Sequence, residues 1–211
     1  MNILLNLILS VTFLFSGGCK SKEENKQIDL KSSKITGSNT EIFVTNLEVP
    51  WSIVFTSNER VLVNERPGRM RVITGGKLQD EPIKTFAEVS SGSEEGLMGL
   101  TLDPEYASNK LIYVSFAYEK DNDLWVKVVR YKDNGNSLTE ETTIFDNIPA
   151  ARFHAGCRIK FGPDKKLYIT TGDAGERKFA QDLDKLHGKI LRINPDGTIP
   201  ADNPFANSPV W

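Results

Sequence analysis

From about Glu41 onward, the sequence consists of short apolar runs separated by turn residues. Three segments share one order of strand, turn, strand, loop and strand, which is typical of antiparallel meanders. The predicted strands are Trp51–Phe55, Val61–Val63 and Met70–Ile73; then Met98–Leu102, Leu111–Phe116 and Trp125–Tyr131; then Arg158–Phe161, Leu167–Thr171 and Lys189–Ile193.

Meanders repeated at roughly 50 residues are the signature of propeller blades. The sequence therefore predicts an all-β protein of the β-propeller class. A β-sandwich also has short strands and frequent turns, but three repeats of one strand order favour the propeller. Propellers close with about four to eight blades, and residues 41–211 supply about three. We expect a truncated or fragmentary chain; the alternative is a small open sheet completed by oligomerisation.

The N-terminus differs from the rest of the chain. The apolar run from Ile3 to Phe15 is shorter than the ~20 residues that span a bilayer. Small residues and Cys19 follow, which resembles a bacterial lipobox. We expect residues 1–18 to be a lipoprotein-type signal peptide and Cys19 to be acylated, in preference to an ordinary cleaved signal with an incidental cysteine. Residues 19–40 form a polar tether, so the protein is expected to be lipid-anchored in the cell envelope, at the periplasm or outer-membrane surface.

Composition and cysteine usage narrow the classes of partner. Lys and Arg number 26 against 28 Asp and Glu, so the chain has no basic footprint for nucleic acid. With Cys19 acylated, Cys157 has no disulfide partner and is expected to be a small buried residue. Residues three apart on a strand face opposite sides, so the side chains of His154 and Cys157 are not expected to bind one zinc ion. The sequence also has no second pair of ligands with zinc spacing, so no zinc site is predicted.

The chain has two histidines, and one of them, His154, is the candidate for acid–base chemistry. His154 directly precedes Ala155-Gly156 at the start of a predicted strand, and propeller sites surround the channel where inner strands begin. An imidazole suits a general base near neutral pH. A structural role remains the alternative for a lone histidine. His187, beside Gly188, is expected to be a turn residue.

An ordered set of short motifs makes the chain resemble the glucose/sorbosone dehydrogenase family, closest to its soluble aldose sugar dehydrogenases. The resemblance runs from about Leu47 to Trp211. Its motifs are Pro50-Trp51-Ser-Ile, Asn64-Glu-Arg-Pro-Gly-Arg69, Glu95-Gly-Leu-Met-Gly99, Leu102-Asp-Pro104, His154-Ala-Gly-Cys-Arg158, Gly172-Asp173, Ala180-Gln-Asp-Leu183, Gly188-Lys-Ile-Leu-Arg192, Asn194-Pro-Asp-Gly197 and Pro200-Ala-Asp-Asn-Pro204.

The resemblance implies a six-bladed propeller that binds pyrroloquinoline quinone and calcium. In such an enzyme the anomeric hydroxyl of an aldose loses its proton to a histidine, hydride passes to the quinone, and a lactone is formed. The family's histidine falls on His154, which makes it the expected general base. The implied partners are a sugar and an external electron acceptor.

The resemblance also marks supporting residues. Glu94 falls where glucose-oxidising members have a sugar-binding Gln, so it is expected to bind the sugar. The alternative is that Glu94 only forms a turn. Asp173 lies on a loop that borders the family's sugar site, and it equally suits a turn former. Arg158 is expected to support the site, with a structural salt bridge as the favoured role.

Two departures bear on the function. Phe153 stands where glucose-oxidising members have an Asp that orients the histidine, so His154 needs another partner to fix its tautomer. The family's groups for quinone and calcium follow after the position of Trp211, so cofactor-binding residues are expected beyond it, and the 211-residue chain alone is expected to be inactive. The alternatives are a non-catalytic propeller module that binds a carbohydrate or a protein, and a non-functional truncation.

Overall fold

The computed structural model describes residues 40–211. The predicted signal peptide, Cys19 and nearly all of the predicted tether lie outside these residues. The described part contains three antiparallel sheets. The first has β1 (Pro50–Phe55), β2 (Arg60–Glu65), β3 (Arg69–Thr74), β4 (Lys77–Leu78) and β5 (Lys84–Thr85); the second has β6 (Leu97–Leu102), β7 (Leu111–Lys120), β8 (Asp123–Asp133) and β9 (Leu138–Pro149); the third has β10 (Gly156–Phe161), β11 (Leu167–Thr171) and β12 (Ile190–Ile193).

Helical structure within residues 40–211 is limited to short segments. The helix α1 covers Tyr106–Asn109, and a 3₁₀ helix covers Arg177–Gln181. None of the helices in this part of the chain is long and apolar enough to cross a bilayer.

The second sheet is packed between the other two, and this explains why its strands β6 and β7 are nearly continuous apolar runs. In β7, Ile112, Val114 and Phe116 contact the first sheet's core residues. The alternate residues Tyr113 and Ala117 pack into the core shared with the third sheet. Because strand side chains alternate between faces, one strand supplies both cores.

The innermost strands of the three sheets lie side by side, with β6 in contact with both β1 and β10. Sheets stacked face to face around their first strands are the arrangement of propeller blades, so the fold prediction is confirmed. The buried hydroxyl of Ser115 links β6 to β10. Its Oγ donates to the Cys157 carbonyl at 2.8 Å and accepts from the Gly99 N–H at 2.9 Å. Such bonds fix the position of β10, from which the candidate site extends.

A buried carboxylate links the first two sheets at the end of β8. The Asp133 side chain is 1% exposed and binds the Arg60 guanidinium through both oxygens, at 2.6 and 3.0 Å. It also accepts from the Tyr106 hydroxyl at 2.7 Å and the Gly135 N–H at 2.8 Å. Burial by itself raises the pKa of Asp133, but the hydrogen bonds from Arg60, Tyr106 and Gly135 outweigh it and hold the pKa below its ordinary value.

We predict that Asp133→Asn lowers the free energy of unfolding by about 1–3 kcal/mol at neutral pH, because Arg60 loses its counter-charge. A carboxylate with a lowered pKa stabilises the fold above its unfolded-state pKa, and this contribution is lost as the pH falls. The difference between wild type and variant in urea denaturation should therefore shrink below about pH 4. Asp80→Asn, at an exposed position, is the control; an equal loss in both variants would contradict the prediction.

Candidate active site

A cleft of about 470 Å³ opens where the inner strands β1, β6 and β10 begin. Its walls come from all three sheets, so the site depends on the stacking of the blades rather than on any one of them. It is lined by Trp51, Arg66, Glu94, Gly156, Arg158 and Thr170. Two of the residues predicted from the sequence, Glu94 and Arg158, are therefore in one cleft, and His154 lies at its edge.

Two hydrogen bonds of its backbone and a close approach of Gly172 hold the segment that carries His154. The His154 N–H donates to Glu94 Oε2 at 2.8 Å, and its carbonyl accepts from the Ala174 N–H at 3.2 Å. A Cβ at position 172 would lie 1.6 Å from the His154 carbonyl oxygen, so only glycine fits where the two loops meet. The sequence Gly172-Asp173 thus lets the third sheet's second loop approach the histidine.

The His154 ring pairs with a carboxylate across this loop contact. Nδ1 of His154 lies 2.9 Å from Asp173 Oδ1, and the same oxygen accepts from the Gly175 N–H at 2.9 Å. The Gly175 N–H, followed by the His154 ring, holds the pKa of Asp173 below its ordinary value. An ionised carboxylate only accepts hydrogen bonds, so in the neutral ring the proton belongs on Nδ1 and the lone pair on Nε2. With 48% of its side chain exposed, His154 can be reached by a ligand.

Asp173 therefore supplies the orienting partner that the sequence lacks at position 153. Phe153 instead packs edge-on against the His154 ring, with 5.3 Å between ring centres. Of the two sequence-based interpretations of Asp173, the turn former describes its hydrogen bond from the Gly175 N–H, while the sugar-site role stays a prediction; the contact with His154 belongs to neither. Its pairing with His154 could not be read from the sequence spacing.

Glu94 is held by a tight turn. Both oxygens of the adjacent Glu95, which is 1% exposed, accept backbone N–H groups from Gly92 and Ser93 at 2.8 Å. The Glu94 N–H donates to the Arg152 carbonyl at 2.9 Å. One Glu94 oxygen is used by His154, and the other is available to a ligand in the cleft.

The structure corrects the role expected of Arg158. Its guanidinium forms no salt bridge within residues 40–211; it lies over the Trp51 ring, 4.5 Å from the ring centre. This is a cation–π arrangement between the third and first sheets. Trp51 and Arg66 were given no role by the sequence analysis, although both lie in motifs that carry the family resemblance.

Cys157 is fully buried, as expected from the sequence, and it has no disulfide partner within residues 40–211. Burial raises the pKa of its thiol to about 12, so it is not a nucleophile at neutral pH. Its side chain packs in the core behind β10, while the exposed His154 side chain lies at the mouth of the cleft.

Stacked antiparallel sheets, with a histidine–carboxylate pair where the inner strands begin, are the arrangement of a β-propeller protein. The chain belongs to the family described as Glucose / Sorbosone dehydrogenase, whose sequence pattern matches residues 47–211.

Three relatives illustrate the range of this similarity. Aldose sugar dehydrogenase YliI of Escherichia coli is 31% identical, covering 82% of this chain and 50% of its own length. The structure of the PQQ-bound form of aldose sugar dehydrogenase from Streptomyces coelicolor superposes with a TM-score of 0.71 at 33% identity, covering 81% and 52% of the two chains. The Hedgehog-interacting protein of Mus musculus is 27% identical, covering 78% and 28%. The chain thus spans about half the length of the dehydrogenases it matches.

Proposed function

We propose that the protein is an oxidoreductase that oxidises the anomeric hydroxyl of an aldose to a lactone, with pyrroloquinoline quinone as the electron acceptor. The observation that carries this proposal is the His154–Asp173 pair where the inner strands begin, in which Nε2 of the ring has no hydrogen-bond partner among residues 40–211. A base of this kind suits a hydroxyl proton. The family and the named dehydrogenase relatives support the substrate class and the cofactor.

Each of the described side chains has a defined part in this reaction. His154 Nε2 accepts the proton of the anomeric hydroxyl, and Asp173 keeps the other ring nitrogen protonated and stabilises the charge that develops on the imidazole. The free oxygen of Glu94 accepts a hydrogen bond from a sugar hydroxyl and helps to place the ring. If bound beside this site, pyrroloquinoline quinone would supply the hydride-accepting chemistry for C1 of the sugar.

The described residues fit the proton-accepting part of the site rather than the whole of it. Within residues 40–211, no group of three or more His, Cys, Asp or Glu side chains is placed to hold a calcium ion. The family resemblance assigns the quinone and calcium contacts to positions after Trp211. We therefore assign the base and its orientation to this chain's residues, and cofactor retention to the remainder of the full-length gene product.

The test is reconstitution of the full-length gene product with pyrroloquinoline quinone and calcium. It is expected to oxidise aldoses in the presence of an artificial electron acceptor, and to lose this activity when the quinone is omitted. The described residues contain no Gly-x-Gly-x-x-Gly segment that opens a helix, so nicotinamide cofactors should not replace the quinone. Aldose oxidation with NAD and without quinone would disprove the proposal.

A second candidate is a non-catalytic binding module, favoured by the similarity to the Hedgehog-interacting protein. In that case the quinone-loaded protein would bind its ligand without turnover. The oriented His154 favours the enzyme, because a binding surface has no need of an imidazole fixed in one tautomer.

A further inference from the structure

Two positively charged side chains line the cleft next to His154 without a counter-ion among residues 40–211. The first is Arg158, whose backbone N–H is fixed by the Thr170 hydroxyl at 3.1 Å and whose guanidinium lies over the Trp51 ring. The ring supports one face of the guanidinium but accepts none of its in-plane N–H bonds. The edge of the guanidinium is therefore free to bind an anion.

The second cation is Arg66, in the turn after β2. Its Nε is buried and has no hydrogen-bond partner in the described part of the chain. The side chain is held against Gly96, where an added Cβ would lie 2.5 Å from Arg66 Cγ. A buried, unpartnered donor on a charged group is costly. We therefore expect a ligand with acceptor oxygens to pair with the Arg66 side chain.

The charge in the cleft favours an anionic ligand. Arg66 and Arg158 face one carboxylate, Glu94, one oxygen of which is bonded to the His154 N–H. Among residues 40–211, neither Arg66 nor Arg158 forms a salt bridge with Glu94. Two guanidinium groups are matched to the planar geometry of a carboxylate, and they also bind phosphate.

We propose that Arg66 and Arg158 bind the acid group of an anionic aldose, a sugar that carries a carboxylate or phosphate away from its anomeric carbon. This inference rests on the proposed function and narrows its substrate class. Glu94 connects the two parts of the site, because it lines the cleft of the arginines and also holds the His154 backbone. The bound acid group thus fixes the orientation of the sugar in the cleft, with the anomeric hydroxyl of the sugar facing His154.

The test compares D-glucuronate with D-glucose, a pair that differs only at C6, by calorimetric titration of the full-length gene product. Glucuronate is expected to bind more tightly than glucose. Arg158→Gln and Arg66→Gln should each weaken glucuronate binding about 10- to 100-fold and leave glucose binding little changed. Arg158→Lys keeps the charge but loses the planar fork, so it should restore only part of the affinity.

Lys160→Gln is the matched control, because Lys160 is exposed on the same strand two residues beyond Arg158 and lies outside the cleft. It removes the same charge and should leave glucuronate binding unchanged. Glucose 6-phosphate provides the second arm: tighter binding of this ligand than of glucuronate would identify phosphate as the acid group.

Several outcomes would overturn the inference. These are equal binding of glucuronate and glucose, an equal effect of Lys160→Gln and Arg158→Gln, and loss of quinone binding in the arginine variants with glucuronate binding retained. These measurements distinguish failure of the dehydrogenase proposal from failure of the anion-site proposal. Arginine-dependent glucuronate binding without turnover would count against the dehydrogenase alone. Quinone-dependent oxidation with no preference for the acidic sugar would count against the anion site alone.

Discussion

Replacing His154 with Ala in the full-length gene product is expected to lower aldose turnover by about 100- to 10,000-fold, which is the usual contribution of a positioned general base. The reason is geometric: the half-exposed His154 lies beside Glu94, which lines the cleft, and its Nδ1 is held against Asp173. The measurement is kcat and KM for an aldose at saturating quinone, with an artificial electron acceptor.

Quinone binding is the internal control for this variant. Because the family's cofactor contacts are assigned to positions after Trp211, His154→Ala should retain most of its quinone affinity, measured by titration of the absorbance of the bound quinone. Turnover close to that of wild type would show that His154 is not the base. A parallel loss of turnover and quinone binding would instead make His154 a cofactor-positioning residue.

The strand order was largely predictable because the buried strands have a strong hydrophobic pattern. The predicted strand Leu111–Phe116 falls within β7, and Leu167–Thr171 coincides with β11. The strand β9, Leu138–Pro149, was missed. It pairs only with β8 at the outer edge of its sheet, and half of its side chains are exposed. A strand with little burial leaves too weak a hydrophobic period to be recognised.

The site was predictable residue by residue but not as an arrangement. The motif resemblance identified His154 and Glu94, and the structure brings them together through a backbone hydrogen bond. The Asp173 contact depends on two loops that touch at Gly172, and the Arg158 contact with Trp51 depends on the stacking of first and third sheets. Contacts between elements distant in sequence are set by the packing of the sheets, which hydrophobic periodicity does not encode.

Asp173→Asn separates the two roles that the structure gives to this side chain. Asparagine keeps an oxygen for the Gly175 N–H, so the turn should persist, but it removes the negative charge that faces His154. We expect kcat to fall by about 10- to 1,000-fold, within the contribution of the base itself, while KM and the melting temperature change little. Asp182→Asn is the matched control, because Asp182 closes a similar turn onto the Asp184 N–H at 3.0 Å and contacts no histidine.

The tautomer of His154 gives a readout that a purely structural role of Asp173 would not change. Nitrogen NMR of the imidazole rings reports this tautomer, with His154→Ala identifying the His154 signals in the full-length gene product. In the neutral ring of the wild type the proton is expected on Nδ1, because the lowered pKa of Asp173 keeps its carboxylate an ionised acceptor. In Asp173→Asn this preference should weaken along with kcat. If kcat fell while the His154 signals stayed unchanged, Asp173 would act through the loop rather than through the imidazole.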